Sequence, residues 1–104
     1  MINNLFKNIP GEIKEELFEE ILNGKEFKVE RIISEGHKSP DNFWYNQDEN
    51  ELVFLLKGSA EIEFEDSKVE LLPGDYVNIH AHKKHRVSRT DDSQKTVWLA
   101  IHYK

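Results

Sequence analysis

Residues 51–65, ELVFLLKGSAEIEFE, decide the fold of this chain. In the second half of the stretch, Ala60, Ile62 and Phe64 alternate with three glutamates. This two-residue period is typical of a β-strand with one buried and one solvated face. A Lys-Gly-Ser turn separates the strand from the apolar run before it, at the short spacing of a hairpin. The stretch therefore predicts two antiparallel strands with Ala60, Ile62 and Phe64 facing inward.

The same period and closely spaced turn signals continue on both sides of this hairpin. Eight strands are predicted in all, over residues 27–33, 42–46, 51–57, 60–65, 68–72, 76–79, 85–89 and 96–103. Many short strands with such close turns are typical of an all-β antiparallel barrel or jelly roll. We expect the barrel to occupy residues 27–103.

Residues 10–24, PGEIKEELFEEILNG, have a different period. Apolar residues recur there at helical spacing, namely Ile13, Leu17, Phe18, Ile21 and Leu22. Pro10 suits the first position of a helix, and Asn23 with Gly24 suits its end. The pattern predicts one short amphipathic helix before the barrel, with its glutamates in water.

Length and composition limit the class of protein. A chain of 104 residues has the size of one domain, so we expect residues 1–104 to form a single domain. The net charge of −6, with lysines and arginines scattered among acidic residues, argues against nucleic acid and anionic membranes as partners. There is no cysteine, no long apolar run and no leader-like start, so a cytoplasmic location is expected.

Two half-motifs follow each other at a defined separation. Glu51 is followed after six residues by Gly58, and Gly74 begins GDYVNIHAHKKH, which ends at His85. The chain resembles the small single-domain bacterial cupins, whose motifs read G-x5-H-x-H-x(3,4)-E-x6-G and G-x5-P-x-G-x2-H-x3-N. The resemblance implies a jelly-roll fold and, within it, a divalent transition metal such as iron, manganese, nickel or zinc, held by imidazoles and one carboxylate.

The sequence departs from these motifs at several ligand positions. The two histidines before the glutamate are replaced, either by Tyr45 and Gln47 or, with a longer gap, by Trp44 and Asn46. In the second motif, other residues replace the proline, the glycine and the asparagine, namely His80, His82 and Arg89. The ligand motif is therefore incomplete.

A metal site is expected to contain Glu51 and His85, with Gln47 as a weak neutral ligand. His102 would join them if Trp98, Ala100 and His102 form the inner face of the last strand. If that face is the outer one, His102 is exposed. His80 and His82 could share the site with His85, although both fall in a turn. The alternative is a hydrogen-bonded pair of Glu51 and His85 without metal.

Three further residues are candidates for contact with a substrate. Arg89 lies four residues after His85, so in a regular strand both side chains point to the same face. It could pair with Glu51, bind a carboxylate or phosphate group of a substrate, or reach solvent through a bend. Tyr45 and Trp98 could supply aromatic surface in the pocket.

The sequence supports three functions. The leading hypothesis is a metal-binding cupin that binds or acts on a small anionic molecule. The alternative is a non-catalytic, metal-free module that binds or senses a small ligand. A third possibility is a structural partner protein. Small barrels of this kind often pair through sheet edges, so a homodimer is expected.

Overall fold

The computed structural model describes residues 2–104 and contains two antiparallel β-sheets. Its strands are β1 (Leu17–Asn23), β2 (Phe27–Ser34), β3 (Asn50–Lys57), β4 (Ala60–Phe64), β5 (Lys68–Leu71), β6 (Tyr76–Ile79), β7 (His85–Thr90) and β8 (Thr96–Tyr103). One sheet has the order β1-β2-β8-β3-β6, and the other has the order β5-β4-β7. Within the described range, no helix is long and apolar enough to cross a membrane.

The hydrophobic core lies between the two sheets and takes residues from six strands. Its buried members are Ile32, Val53, Leu55, Ala60, Ile62, Leu71, Ile79, Trp98 and Ala100. Ala60 and Ile62 are buried as the alternation predicts, and Phe64 packs against them. Burying each large apolar side chain contributes about 1.5–3 kcal/mol, so this shared core holds the sheets together.

Seven of the eight predicted barrel strands are present. The exception is the stretch 42–46, where the only pairing is an isolated bridge between Tyr45 and His85. The backbone N–H of each residue donates to the carbonyl of the other, at 2.7 and 3.2 Å. This bridge fixes the long connection between β2 and β3 against the start of β7.

The prediction of a helix over residues 10–24 is wrong. Residues Leu17–Asn23 form β1, which pairs with β2 along its length, with a bulge at Ile21. Without β1, the outer edge of β2 would leave its N–H and C=O groups unpaired, and pairing outweighs a modest helical propensity. Residues 10–16 are irregular and are tied to the barrel, since the N–H of Ile13 donates to Glu35.

A buried arginine anchors the amino-terminal segment to the outer face of the larger sheet. The guanidinium of Arg31 donates to the carbonyls of Leu5, Lys7 and Asn8 at 2.7–3.3 Å. It also donates to Glu19 of β1 at 2.7 Å. The segment therefore covers the face of β2 that would otherwise be in water.

A bulge in β7 changes which side chains face the core. His85 and Val87 lie opposite Phe64 and Ile62 of β4, but the next partner pair is Arg89 with Glu61. Ser88 is thus an extra residue, and one extra residue reverses the inward and outward faces of a strand. After the bulge, Thr90 is buried and Arg89 is exposed.

The turn between β3 and β4 requires glycine. Gly58 has a φ of +87°, and a Cβ there would lie 2.4 Å from Thr96 Oγ1 and 2.8 Å from its Cα. We expect Gly58→Ala to lower the free energy of unfolding by about 2–5 kcal/mol, through backbone strain and overpacking. Chemical denaturation followed by circular dichroism measures the change.

Gly36 is the matched control, because its φ is +73° but no atom lies within 4 Å of an added Cβ. Gly36→Ala should show only the left-handed strain, about 1–2 kcal/mol. Equal losses in the two variants would contradict the close contact with Thr96.

Candidate active site

A cavity of about 370 Å³ opens between the two sheets. Its apolar wall consists of Ile32, Val53, Ile62, Ile79, Val87 and Trp98. Polar, charged and aromatic groups complete the lining, namely Glu16, Phe18, Lys28, Glu30, Tyr45, Gln47, Glu49, Glu51, His85 and His102. The size lies within the usual range of ligand pockets, and the mixture of an apolar wall with a few convergent polar groups is typical of them.

Strand register brings the charged groups together. His102 of β8 lies opposite Glu51 on one side and Lys28 on the other, so the three form one row across adjacent strands. Glu30 follows Lys28 by two residues and therefore points to the same face. The three residues of the row and Glu30 all line the cavity.

Glu51 is the centre of this polar group. Its Oε1 lies 3.5 Å from Nε2 of His85 and accepts a hydrogen bond of 3.2 Å from the amide of Gln47. Its Oε2 lies 3.9 Å from Nε2 of His102. Burial acts to raise the pKa of Glu51, but the neighbouring imidazoles and the Gln47 amide outweigh it and lower that pKa below the usual value. Glu51 is therefore ionised at neutral pH.

A second carboxylate pairs with His102. Nε2 of His102 and Oε1 of Glu30 are 2.9 Å apart, and both side chains are only 10% exposed. The ammonium of Lys28 lies 3.7 Å from the other oxygen of Glu30. Glu30, His102, Glu51 and His85 thus form a continuous chain of titratable groups along the cavity.

The orientation of His85 follows from its other contacts. Its Nδ1 lies 2.9 Å from the carbonyl of Lys83, and a carbonyl only accepts, so Nδ1 carries the proton. The imidazole also stacks against Tyr45, with ring centroids 5.4 Å apart and planes 24° apart. These contacts fix the ring and direct Nε2 towards Glu51.

Aromatic side chains form two parts of the wall. Burial raises the pKa of the Tyr45 phenol, with further contributions from Glu16 and Glu51, so the phenol is neutral. The indole N–H of Trp98 donates to Oγ of Ser34 at 3.1 Å. Because this N–H already has a partner, Trp98 offers the cavity mainly its ring.

Arg89 does not lie in the cavity, so the prediction that it shares an inner face with His85 is wrong. Its guanidinium lies on the outer face, where it donates to Glu70 at 3.4 Å and to Ser59 at 3.3 Å. The cause is the bulge at Ser88, which reverses the strand faces between His85 and Arg89. A strand exit to solvent, one of the alternatives from the sequence, is the arrangement found.

His80 and His82 are also outside the cavity lining. His80 is exposed. His82 has a φ of +64°, and its imidazole contacts Asn46 at 3.1 Å and lies 3.6 Å from Asp48. Both belong to the turn before β7, so neither approaches His85 as a shared ligand.

The other predicted site residues, Glu51, His85, Gln47, His102, Tyr45 and Trp98, all line the cavity. Yet among residues 2–104 no group of three or more His, Asp or Glu side chains is placed to hold a metal ion. Glu51 and His85 face each other, but the third strong donor is lacking, since Nε2 of His102 is bound to Glu30. The donor set therefore does not fit the metal site that the resemblance implies.

Sequence reasoning missed four acidic or basic lining residues, Glu16, Lys28, Glu30 and Glu49. The alternation of Lys28, Glu30 and Ile32 along β2 was the available signal. It was ambiguous because Val29 and Ile33 are apolar on the opposite face. The missed residues change the charge of the cavity.

The stability of the folded protein should depend on pH through Glu51, in a defined direction. A carboxyl whose pKa is lower in the folded state stabilises the fold fully above its unfolded pKa, and this contribution is lost as pH falls through the folded pKa. We expect the unfolding free energy of the wild type, relative to Glu51→Gln, to decrease between about pH 6 and about pH 3. Thermal unfolding at each pH measures it.

Glu70→Gln is the control, since Glu70 is 62% exposed on the outer face. Its difference from the wild type should change much less over the same range. A constant difference for Glu51→Gln would contradict the paired, ionised state of Glu51.

Comparisons with known proteins identify the fold and a family. A solved structure from Ralstonia eutropha JMP134, described as a putative mannose-6-phosphate isomerase, is 42% identical, with a TM-score of 0.96, over 100% of this chain and 98% of that one. A cupin superfamily protein from Desulfitobacterium hafniense DCB-2 is 21% identical, with a TM-score of 0.76, over 91% and 83% of the two chains. At that identity the likeness shows the fold alone.

No curated protein matches the chain. The family model described as Cupin domain matches residues 29–102. This range contains five of the eight strands completely and most of β2 and β8, and it contains all of the cavity lining except Glu16, Phe18 and Lys28. The chain belongs to the cupin domain family.

Proposed function

We propose that this protein binds a small, hydroxylated organic molecule in its barrel cavity without a bound metal ion. The observation that carries the proposal is the pairing of Glu30 with His102 and of Glu51 with His85 around a cavity with an aromatic and apolar wall. Carboxylates and imidazoles can exchange hydrogen bonds with hydroxyl groups, while Tyr45 and Trp98 can pack against the carbon skeleton. The proposal concerns binding and specifies no reaction.

The charge of the cavity argues against the anionic ligand that the sequence suggested. Four carboxylates line it, and the only lysine or arginine among the lining residues is Lys28. Lys28 already faces Glu30. A phosphate or carboxylate group would enter a negative field without an available cationic partner, which is unfavourable in a partly desolvated pocket. An uncharged ligand avoids this repulsion.

The name of the Ralstonia eutropha relative supports a ligand of sugar size and hydroxyl content. A phosphorylated sugar fits less well here, because Arg89, the expected anion-binding residue, pairs with Glu70 outside the cavity. We therefore propose that the ligand of this chain has a hydroxylated carbon skeleton and no phosphate group.

We expect uncharged sugars and polyols to raise the melting temperature of the protein, and their phosphorylated or carboxylated analogues to raise it less. The reason is that a ligand bound by the native state stabilises it, whereas an anion meets the acidic lining. A thermal-shift screen of matched neutral and anionic compounds measures this, with elemental analysis of protein purified without a histidine tag run in parallel.

Stronger stabilisation by the anionic members would contradict the neutral-ligand proposal. Stoichiometric iron, manganese, nickel or zinc in the purified protein would contradict the proposal that the cavity contains no metal ion. It would favour instead a metal-binding cupin in which Glu51, His85, Gln47 and His102 form the ligand shell.

The homodimer stays a prediction, and we propose β1 as the surface that forms it. β1 is one of the two edge strands of the larger sheet, and Ile21 and Leu22 on it are 51% and 58% exposed. Free edges that carry apolar side chains favour pairing with a second strand.

The lack of cysteine is compatible with a reducing cytoplasm, which we propose as the location.

Sedimentation velocity at micromolar concentration should show a dimer for the wild type and a shift towards monomer for Leu22→Lys, because a charge at the edge opposes pairing. Leu72→Lys is the control, since Leu72 is 51% exposed but follows β5 in the other sheet. A monomeric wild type, or an equal effect of both substitutions, would count against this interface.

A further inference from the structure

A buried serine fixes the direction of the Glu16 carboxylate in the cavity wall. The hydroxyl of Ser34, which is fully buried in β2, donates to Oε2 of Glu16. The same oxygen of Ser34 accepts the indole N–H of Trp98 at 3.1 Å. Because a hydroxyl has one proton and free lone pairs, it can bind both partners at once. Glu16, which lies in the irregular segment before β1, is therefore tied to two buried side chains of the barrel.

The second oxygen of this carboxylate is left for a ligand. Within residues 2–104, the bond from Ser34 is the one hydrogen bond of the Glu16 side chain, and it occupies Oε2 alone. Glu16 also lines the cavity. A carboxylate oxygen accepts hydrogen bonds but donates none, so it complements a hydroxyl of the ligand. Glu16 thus differs from Glu30 and Glu51, whose carboxylates have several partners within the protein.

An exposed aromatic ring lies near Glu16. Phe18 is opposite Ile32 in the sheet, so it points to the same side of the larger sheet as the cavity wall. It lines the cavity and yet is 52% exposed. β1 is an edge strand of a five-stranded sheet, whereas the other sheet has three strands, which agrees with incomplete cover of this ring. The cavity therefore meets solvent at Phe18.

These two groups favour a particular shape of ligand. The face of an aromatic ring packs against a flat array of C–H groups, and a carboxylate near it accepts a hydroxyl at the edge of that array. A sugar ring or cyclic polyol presents both features at fixed positions, whereas an open chain must lose rotational freedom to present them. The cavity volume of about 370 Å³ is near the lower end of the range for ligand pockets, which suits one such ring.

From these observations we infer that Glu16 and Phe18 form a specificity subsite at the entrance of the cavity, which binds the hydroxylated edge of one uncharged sugar or polyol ring. Ser34 is the residue that positions Glu16 in it. The inference rests on the proposed function and narrows its ligand class from hydroxylated molecules in general to cyclic ones. The subsite includes neither Glu51 nor the two cavity histidines.

Pairs of ring and open-chain probes test the ligand class, on the full chain at pH 7. Each aldose of a panel is compared with the alditol obtained by reducing it, namely D-glucose with D-glucitol, D-mannose with D-mannitol, D-galactose with D-galactitol and D-xylose with xylitol. Calorimetric titration should show the best-binding aldose at least about fivefold tighter than its alditol, because the ring is ordered before binding. Alditols that bind as tightly as the aldoses would overturn the choice of a ring.

Two substitutions at the subsite locate the effect. Glu16→Gln should weaken binding of the best aldose about five- to tenfold, since it replaces a charged acceptor by a neutral one. Phe18→Leu keeps an apolar side chain without a flat face, and it should reduce the preference for the ring to less than about twofold. Glu15→Gln is the matched control and should bind like the wild type, since Glu15 is exposed and outside the cavity lining.

Monodeoxy analogues of the best-binding aldose identify the hydroxyl that donates to Glu16. One analogue should bind at least about fivefold more weakly than the parent sugar in the wild type and about equally in Glu16→Gln, because the two changes remove the same hydrogen bond. If every deoxy analogue loses the same factor in both proteins, Glu16 accepts no ligand hydroxyl and the subsite is overturned.

Combined substitutions test the positioning role of Ser34. Ser34→Ala should weaken binding of the aldose about threefold when Glu16 is present and not measurably in a Glu16→Ala background, since the serine acts through that carboxylate. General structural damage would weaken binding in both backgrounds, and this result would overturn the positioning role. Circular dichroism and the melting temperature are measured for every variant.

The outcomes separate the subsite from the function on which it rests. If the sugars bind but a folded Glu16→Gln matches the wild type, the subsite is overturned while a cavity for hydroxylated ligands remains supported. If no member of the panel binds, both are overturned. If Glu16→Gln does not fold, the ring preference of the wild type and its loss in Phe18→Leu decide the question. Sedimentation velocity of Phe18→Leu completes the test, because a loss of binding that accompanies a change of oligomeric state would count against a direct contact.

Discussion

Burial of the ionised carboxylate of Glu51 is the constraint on which the rest of the cavity depends. An ionised carboxylate held away from water is strongly unfavourable unless nearby groups compensate it. Here the compensation comes from Gln47 in the long loop, from His85 at the start of β7 and from His102 on β8. The position of one side chain therefore depends on the loop, on both sheets and on strand register at once.

The same constraint connects the architecture to the chemistry. The bridge between Tyr45 and His85 fixes the long loop against the smaller sheet, and this places Gln47 on Glu51. In the larger sheet, pairing of β8 with both β2 and β3 aligns His102 between Lys28 and Glu51. Polar groups in a barrel must be satisfied by one another, by water or by a ligand, so the placement of these side chains limits what the cavity can bind.

The sequence predicts most of the strands because their alternation is strict where one face meets water. Residues 60–65 are the best example, since glutamates mark the outer face without ambiguity. The prediction of a helix over residues 10–24 was wrong because the local spacing of apolar residues contains no information about the edge of β2. The N–H and C=O groups at that edge are hydrogen-bonded by β1 in the folded structure. Glu30 was missed for a similar reason: the amino-terminal segment covers the outer face of β2, so that face carries the apolar Val29 and Ile33, while Lys28 and Glu30 face the cavity.

The side-chain directions expected from the sequence agree with the structure where strands are regular and differ where one is not. Trp98 and His102 share a face of β8, and both reach the cavity. Arg89 would have joined His85 if β7 had kept its two-residue period, but the bulge at Ser88 reverses the faces. Spacing between motif residues gives the direction of a side chain only within an uninterrupted strand.

Ser88 thus lets β7 contain one residue more than its partner strand without a change in the interior. The bulge keeps both halves of β7 in register with β4, so Val87 lies opposite Ile62 and Arg89 lies opposite Glu61. Deleting Ser88 would remove the bulge and leave the arginine directly after the inward-facing Val87, again on the outer face. A difference of one residue at this point of the strand is therefore expected to leave the charge of the cavity as it is, so relatives that differ in length here can still bind the same kind of ligand.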